Sequence, residues 1–232
     1  MSLPKPYYEE PGITIYCGDC RDILPYLEPV DLVLTDPPYG VNWQSNYRKK
    51  KFDKFDKIVG DEFVRADWIK LIESEIFYCF TKWTVMQKWI EAFEKIPIKV
   101  RDVLVWDKIS HGVGDLNSWA PRYELIIFAS VYAPKLLGHR AQNILRHWRV
   151  DGGAAGISSG KLLSHPAEKP VELLTDILQK HEGSVLDPFM GSGSTARACK
   201  DLGRAFIGIE IEEKYCEIAI RRLAQEVLPL DK

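Results

Sequence analysis

The sequence has no long hydrophobic run, which limits where the protein can reside. Its longest apolar stretch, residues 125–133, falls well short of the ~20 residues that a membrane-spanning helix needs. The first twelve residues contain prolines and acids where a secretory signal peptide would carry an apolar segment. We therefore expect a cytoplasmic protein without a membrane anchor.

Cysteine is also scarce, with five residues at positions 17, 20, 79, 199 and 216. An odd number without a repeated spacing argues against a disulfide framework. Cys17 and Cys20 have the spacing of half a zinc site, but the sequence offers no second pair and no nearby histidines. No metal site is predicted, and reduced thiols are expected.

Net charge is nearly absent at −2, but the charges are unevenly distributed. Residues 44–57 contain six basic and two acidic side chains, and residues 131–170 contain the same numbers. Each segment is therefore +4, and the rest of the chain is −10. Two cationic surfaces on an acidic body are typical of a protein that binds a polyanion.

The chain has the size of one globular domain, with 232 residues of which 46% are hydrophobic, and it shows no internal repeat or low-complexity tract. Seven short runs rich in β-branched and aromatic residues are predicted strands, at 13–16, 30–35, 76–80, 100–106, 123–129, 184–186 and 205–209. Helical patterns lie between many of them, starting near Asp67, Met86, Pro170, Ser194 or Thr195, and Glu212. This alternation predicts a doubly wound, mostly parallel α/β sheet that binds ligands at the carboxyl ends of its strands.

A glycine-rich segment, residues 185–195, has the pattern of a strand, a tight turn and a helix start. Glycine allows positive φ and close approach of a bulky ligand, while the lack of a following Lys-Ser or Lys-Thr excludes a phosphate-binding P-loop. Glu210, at the end of the next predicted strand, is placed to accept hydrogen bonds from ribose hydroxyls. S-adenosylmethionine and a nicotinamide dinucleotide both present that ribose, and a purely structural turn would also contain glycine.

A second motif, Asp36-Pro37-Pro38-Tyr39, follows the apolar strand at 30–35. An exocyclic base amine is a poor nucleophile because its lone pair is delocalised into the ring. The Asp36 carboxylate and the Pro37 carbonyl can accept hydrogen bonds from its two N–H groups. Proline fixes the backbone that carries this carbonyl. Tyr39 can stack on a base extruded from a duplex. The alternative is an ordinary strand-ending turn, for which Asp-Pro-Pro is common.

Together, residues 36–39 and 187–193 resemble the amino-methyltransferases of DNA in their β class, where the catalytic motif precedes the cofactor motif. Segments 18–24, 106–108, 123–129 and 165–170 are similar to further family motifs in the order this class requires. The resemblance spans residues 13–223. It implies a circularly permuted, Rossmann-like methyltransferase fold, a single domain over 1–232, with a seven-stranded sheet that has one antiparallel strand. The strands starting at 184, 205, 13 and 30 would be the first to fourth.

The resemblance implies a site-specific enzyme of restriction-modification type, which transfers a methyl group from S-adenosylmethionine to N6 of a flipped-out adenine in double-stranded DNA. Asp36 favours adenine, because members that act on cytosine N4 usually carry serine there, and N4-cytosine methylation is the alternative. The implied catalytic residues are Asp36, Pro37, Pro38 and Tyr39. The implied cofactor-binding residues are Asp19, Cys20, His165, Lys169, Asp187, Pro188, Phe189, Gly191, Ser192, Gly193, Ser194, Thr195 and Glu210.

Both basic segments are interpreted as DNA contacts. Residues 40–62 form a predicted DNA-binding loop beside the catalytic motif, with Arg48, Lys49, Lys50 and Lys51. Residues 131–163 form a predicted target-recognition insertion, with Arg140, Arg146 and Arg149. This insertion is short for the family, so specificity is low or a partner subunit contributes, and a homodimer is left open. Glu168 departs from the family, where glutamine is commoner.

Three other functions compete with this interpretation. An RNA or protein-glutamine methyltransferase faces the same chemical problem, although the basic segments and the permuted order argue against a protein substrate. A nicotinamide-dependent oxidoreductase would leave the motif at 36–39 without a role. A catalytically silent DNA-binding module is weaker still, because every expected catalytic residue is present.

Overall fold

The structure, a computed structural model, describes residues 3–40, 66–109, 117, 119–150 and 168–225. Its strands are β1 (Tyr8–Glu10), β2 (Ile13–Cys17), β3 (Val30–Thr35), β4 (Ser74–Thr81), β5 (Lys99–Asp107), β6 (Tyr123–Ser130), β7 (Ile144–Arg146), β8 (Val185–Asp187) and β9 (Phe206–Glu210). Its α-helices are α1 (Cys20–Ile23), α2 (Met86–Phe93), α3 (Val171–Leu178), α4 (Ser194–Asp201) and α5 (Glu213–Leu223). Two short 3₁₀ helices cover Leu24–Tyr26 and Asp67–Leu71.

Within these residues, the strands form one sheet in the order β1-β2-β9-β8-β3-β4-β6-β5-β7. All seven predicted strands are present, and β6 runs antiparallel to both of its neighbours, β4 and β5. The predicted permuted methyltransferase fold is therefore confirmed. β2, β9, β8 and β3 are adjacent in the sheet in this order. They are the strands predicted as third, second, first and fourth.

Two edge strands, β1 and β7, were not predicted. β1 pairs antiparallel with β2, so the sheet contains a second antiparallel strand, and β7 pairs parallel with β5. Each has three residues with little burial, which is too short for an alternating pattern to stand out. β7 lies inside the predicted target-recognition insertion, so part of that segment extends the sheet.

Helices cover both faces of the sheet. Successive side chains of a strand point to opposite faces, so each strand contributes to the packing on both sides. Leu32 and Leu34 of β3 pack in one buried cluster with α3, α4 and α5. Val33, between them, packs in the other cluster with α1, the Asp67–Leu71 helix and α2. Both faces are apolar, which explains why several strands showed no alternation in the sequence.

Two helix starts differ from the prediction. The pattern after Asp67 predicts a helix that buries Trp68, Leu71 and Ile72. The helix is present and buries Trp68, but it is a 3₁₀ helix that starts after Ala66 and buries Ile69, while Leu71 and Ile72 are only partly buried. α4 is capped by Gly193, where Ser194 or Thr195 was expected. The Thr195 hydroxyl instead donates to Asp187, and the Ser194 hydroxyl oxygen accepts from Arg222.

The described part of the chain contains no helix with the length and apolarity needed to cross a membrane. Nor do these residues include a group of three or more His, Cys, Asp or Glu side chains that could hold a metal ion.

Candidate active site

The site is built where β3 and β8 lie side by side. They pair in parallel, with Leu32 opposite Val185 and Val33 opposite Leu186, so their carboxyl ends meet at one edge of the sheet. The Thr35 hydroxyl donates to Asp187 Oδ1 at 2.8 Å across this boundary. The catalytic motif after β3 and the glycine loop after β8 are thereby joined, as the permuted order predicts.

Asp187 is buried and organises the glycine loop. Its Oδ2 accepts a hydrogen bond from the Thr195 hydroxyl at 2.7 Å, and its Oδ1 also accepts one from the Phe189 N–H at 3.1 Å. Burial raises the pKa of Asp187 to about 6, although hydrogen bonds from Thr195 and Thr35 oppose this shift. Both of its oxygens bind the protein itself, so a direct contact with the cofactor stays a prediction.

Gly193 is required by the backbone at this point. Its φ of 80° lies in the left-handed region, and an added Cβ would lie 2.6 Å from the Ala219 Cβ. Gly191 also has a positive φ, of 55°. The missing side chain at Gly193 lets the loop pack directly against α5, and both positions adopt backbone angles that favour glycine. The neighbouring predicted residues Pro188 and Ser192 are buried within the same loop.

Glu210, at the end of β9, is held beside this loop. Its carboxylate accepts hydrogen bonds from the Gly191 N–H at 2.9 Å and from the Glu212 N–H at 2.8 Å. Burial raises the pKa of Glu210 to about 7, and the backbone hydrogen bonds only partly oppose that shift. The result is a desolvated acceptor at the tip of a strand, which suits a ribose hydroxyl.

Asp19 lies on the neighbouring strand end. The Gly18 N–H donates to the Glu210 carbonyl at 2.9 Å, which brings the end of β2 beside the end of β9. Asp19 caps α1 by accepting from the Arg21 N–H at 2.9 Å, and it also pairs with the Arg21 guanidinium. Burial raises the pKa of Cys20 to about 12, so this thiol stays neutral.

Phe189 is supported by a tryptophan that sequence reasoning placed only in the core. The Trp68 ring meets Phe189 edge to face, with centroids 5.3 Å apart, and lies 6.2 Å from Trp89. Trp68 is buried, and its indole N–H has no hydrogen-bond partner among the described residues. Packing against Trp68 therefore fixes the orientation of the Phe189 ring, which is predicted to flank the cofactor.

In the catalytic motif, both oxygens of Asp36 are engaged. The Tyr39 hydroxyl donates to Asp36 Oδ1 at 2.5 Å, and the Lys169 ammonium pairs with Oδ2. Burial, and then the Asp36 carboxylate, raise the pKa of Tyr39 well above its ordinary value. Pro37 is buried and Pro38 half-buried, so the backbone at this strand tip is held on both sides.

Glu124 and Lys108 belong to the site but were missed as functional residues. Lys169 lies 3.3 Å from Glu124, which pairs with Lys108 at 2.5 Å. Both had appeared only as strand ends within segments that resemble family motifs. Because β6 runs antiparallel, its first residues lie at the same edge as the carboxyl end of β5. Topology thus brings them together, and one sequence without a fold could not show it.

The unusual Glu168 has a partner that explains its charge. The Arg222 guanidinium donates to Glu168 Oε1 at 2.5 Å and to the Ser194 hydroxyl oxygen at 2.5 Å. Glutamine at 168 would not offer the negative charge that Arg222 meets here. The ion pair ties the segment before α3 to α5 and to the start of α4.

The predicted DNA-binding residues are described in part. Arg146 lies 3.4 Å from Asp107 at the end of β5, and Arg122 pairs with the same carboxylate at 2.7 Å. Arg149 is half-buried near Lys108, and Arg140 is exposed before β7. The remaining predicted site residues lie outside the described residues: Arg48, Lys49, Lys50, Lys51 and His165.

Comparison with known proteins agrees with this geometry. A family model for N6 and N4 DNA methylases, described as DNA methylase, matches residues 30–221. The chain belongs to this family. It is a site-specific DNA amino-methyltransferase that uses S-adenosylmethionine as its methyl donor.

Individual relatives cover nearly the whole chain. The Type II methyltransferase M.ScaI of Streptomyces caespitosus is 26% identical over 286 aligned residues, which cover 99% of this chain and 87% of the relative. The crystal structure of the M1.HpyAVI–SAM complex is similar at a TM-score of 0.67 and 25% identity, covering 91% of this chain and all of that one. The PvuII DNA methyltransferase, described as cytosine-N4-specific, shares the fold at a TM-score of 0.73 and 17% identity, over 97% and 90% of the two chains.

Proposed function

We propose that the chain methylates N6 of an adenine flipped out of double-stranded DNA. The observation that carries this proposal is the Asp36 carboxylate at the tip of β3, next to the glycine loop that follows β8. A carboxylate can accept a proton of the adenine amine and compensate the positive charge that develops on its nitrogen. The serine that is usual in cytosine-N4 enzymes carries no such charge.

Four groups of this chain are proposed to hold the cofactor. Glu210 accepts hydrogen bonds from the ribose, and Asp19 faces the adenine moiety. Phe189, fixed by Trp68, packs against the cofactor's base. The backbone at Gly191 and Gly193 approaches it closely. The desolvated carboxylate at Glu210 and the open glycine backbone fit S-adenosylmethionine, which when bound supplies a methyl group on a sulfonium.

The chemistry of the protein groups is then simple. Asp36 Oδ1 and the Pro37 carbonyl accept hydrogen bonds from the two amine N–H groups and orient the nitrogen lone pair. Tyr39 leaves Asp36 and stacks on the extruded base. When bound, the cofactor would supply the methyl group to that lone pair, and its sulfur would keep the electrons of the broken C–S bond. The extra proton of the methylated amine would leave to solvent.

DNA contact is proposed for two regions. Arg146 and Arg149, on the described part of the 131–163 insertion, lie at the carboxyl edge of the sheet near the catalytic residues. The basic residues Arg48 to Lys51 directly follow the catalytic motif in the sequence, so the 40–62 segment is proposed to contact phosphates beside the flipped base. A homodimer and a cytoplasmic location also remain proposals.

One assay tests the proposal. The protein is incubated with methyl-labelled S-adenosylmethionine and unmethylated duplex DNA, and the DNA is digested to nucleosides. Labelled N6-methyladenine is the expected product. Labelled N4-methylcytosine would correct the target base. Label that enters RNA or protein in parallel incubations, but not DNA, would overturn the DNA substrate.

A further inference from the structure

Four charged side chains form a continuous chain that begins at the Asp36 carboxylate. Asp36 pairs with Lys169, Lys169 lies 3.3 Å from Glu124, and Glu124 pairs with Lys108 at 2.5 Å. The charges alternate in sign and sum to zero. They come from four parts of the fold: the tip of β3, the second residue before α3, the start of β6 and the residue after β5.

Lys169 is the central and most buried member. Only 8% of its side chain is exposed, and its ammonium also lies 5.0 Å from the centroid of the Phe80 ring. Burial lowers the pKa of Lys169, but Asp36 and Glu124 outweigh burial, and the pKa lies above its ordinary value. Likewise, burial raises the pKa of Glu124, but Lys169 and Lys108 lower it to about 2. Both groups are therefore ionised at neutral pH.

The two oxygens of Asp36 are held differently. Oδ2 faces Lys169, which Glu124 restrains on its other side, whereas Oδ1 accepts a hydrogen bond from the hydroxyl of Tyr39, three residues further along the same loop. Moving Lys169 away would separate two buried opposite charges that water does not reach, which is strongly unfavourable. The Tyr39 hydroxyl can leave at the cost of one hydrogen bond. The geometry thus distinguishes a fixed oxygen from one that can be vacated.

We propose that Lys169 is a positioning residue for methyl transfer: held by Glu124, it fixes Asp36 through Oδ2 as a carboxylate and leaves Oδ1 to take the target amine. Glu124 has a second effect in this arrangement. Its negative charge offsets Lys169, so that the pocket does not become positive where the amine nitrogen acquires positive charge. The inference rests on the amino-methyltransferase function. It assigns Lys169 a role different from the cofactor contact that the family resemblance implies.

Other titratable groups in the described part of the chain also act on Asp36 or on its neighbours. Besides Lys169 and Glu124, these include Tyr39 on the same loop, Cys79 on β4 and Asp187 on β8, and Lys82 lies over the Tyr39 ring. Burial raises the pKa of Cys79 well above its ordinary value, and that of Tyr39 is also raised, so both remain neutral near pH 7. Changes at 169 and 124 then act on Asp36 by charge.

The experiment compares Lys169→Met, Lys169→Arg and Glu124→Gln with the exposed control Lys88→Met on α2. In Lys169→Met the ammonium no longer holds Oδ2, so Asp36 is misplaced, and kcat falls at least about tenfold while the KM for DNA changes by less than about threefold. Lys169→Arg restores most of the activity, and Lys88→Met matches the wild type.

Glu124→Gln tests the restraint on Lys169 from the other side. Removing this negative charge leaves the pocket more positive, so kcat falls although Lys169 can still pair with Asp36. The free energy of unfolding, from urea titration, shows whether either variant is merely unstable. Wild-type kcat in Lys169→Met, or no recovery of kcat in a folded Lys169→Arg, overturns the proposal.

Two further measurements separate this role from the alternatives. The Kd for S-adenosylmethionine, from calorimetry, stays within about twofold in Lys169→Met, whereas loss of a lysine that binds the cofactor would weaken binding. The carboxyl carbon chemical shift of Asp36, from NMR on aspartate-labelled protein at pH 7, reports the Lys169 contact and requires no activity. It changes in Lys169→Met but not in Lys88→Met if the proposal holds, even if the substrate were misassigned, and an unchanged chemical shift in Lys169→Met overturns it.

Discussion

Asp36 is the residue proposed to bind the target amine through its carboxylate. In Asp36→Asn the charge is lost while the side-chain size is kept, so kcat should fall by about a hundredfold or more, in the range seen when one transition-state contact is removed. Cofactor affinity should largely survive, because the groups proposed to bind the cofactor lie on other strand tips. Labelled methyl transfer and calorimetry measure the two quantities.

Asp102→Asn, an exposed change on β5, is the matched control for Asp36→Asn. It should retain wild-type transfer. Turnover at the wild-type rate in Asp36→Asn would remove Asp36 from its assigned role.

Gly193 tests whether the loop needs glycine for its backbone angle or for space. Alanine at Gly193 meets both a positive φ of 80° and a contact of 2.6 Å with the Ala219 Cβ. Alanine at Gly203 meets a similar φ of 65° but no atom within 4 Å. Gly203→Ala should therefore cost about 1 kcal/mol of unfolding free energy, and Gly193→Ala clearly more, as urea titration would show. Equal losses would mean that α5 can move away.

At the scale of elements, Glu210 at the end of β9 is expected to favour cofactor binding and to reduce the stability of the fold near neutral pH. The pKa of Glu210 is raised from 4.5 to about 7, chiefly by burial. The folded state therefore binds more protons than the unfolded state between these values, and the stability contributed by this group falls as pH rises from 4.5 to 7. In Glu210→Gln the amide nitrogen cannot accept from one of the N–H groups of Gly191 and Glu212, which lowers stability at every pH, but the variant does not titrate. Its stability relative to the wild type should therefore rise by up to about 3 kcal/mol between pH 4.5 and pH 8.

Urea unfolding at both pH values measures this difference, with the exposed Glu94→Gln as the control. The same Glu210→Gln variant should bind S-adenosylmethionine more weakly, because an amide is a weaker acceptor for ribose hydroxyls. A wild-type dependence of stability on pH in Glu210→Gln would show that other groups govern this window.

The long elements and the two loop motifs could be predicted from the sequence, because each depends on neighbouring residues. β3 is an apolar run followed by Asp36, and β8 is followed by a glycine turn, so the sequence predicts where each strand ends. β7 was missed because three residues show no period. The Asp67–Leu71 segment was predicted only as a helix, since capping and apolar spacing do not distinguish an α-helix from a 3₁₀ helix.

Side-chain pairing across the sheet could not be predicted in the same way. The chain from Asp36 to Lys108 joins residues that are up to 133 positions apart, and the pairing of Lys169 with Glu124 depends on β6 running antiparallel. The partner of Glu168 is likewise 54 positions away. Residue type suggested that these groups matter, but only the topology shows what each one faces.

For the whole molecule, DNA binding depends on where cations lie on the surface. Arg146 has 73% of its side chain exposed and lies 3.4 Å from Asp107, near the catalytic edge. Arg146→Ala should weaken DNA binding and reduce the salt dependence of the association constant by about one ion, if it contacts one phosphate. Binding measured over a range of salt concentrations gives this slope.

Arg221→Ala is the matched control, since Arg221 is 71% exposed and paired with Glu217 on α5. Its loss should leave the slope unchanged. The same slope in wild type and Arg146→Ala would place the phosphate backbone elsewhere on the surface.

The hydrogen bond between Thr35 and Asp187 joins positions 152 residues apart, and it has a consequence for biosynthesis. During translation, the catalytic tetrapeptide leaves the ribosome long before the strand that must lie beside it. A nascent or prematurely terminated chain therefore holds the amine-binding groups without the loop that brings the methyl donor to them. We therefore expect methyl transfer only after synthesis has passed the end of β9.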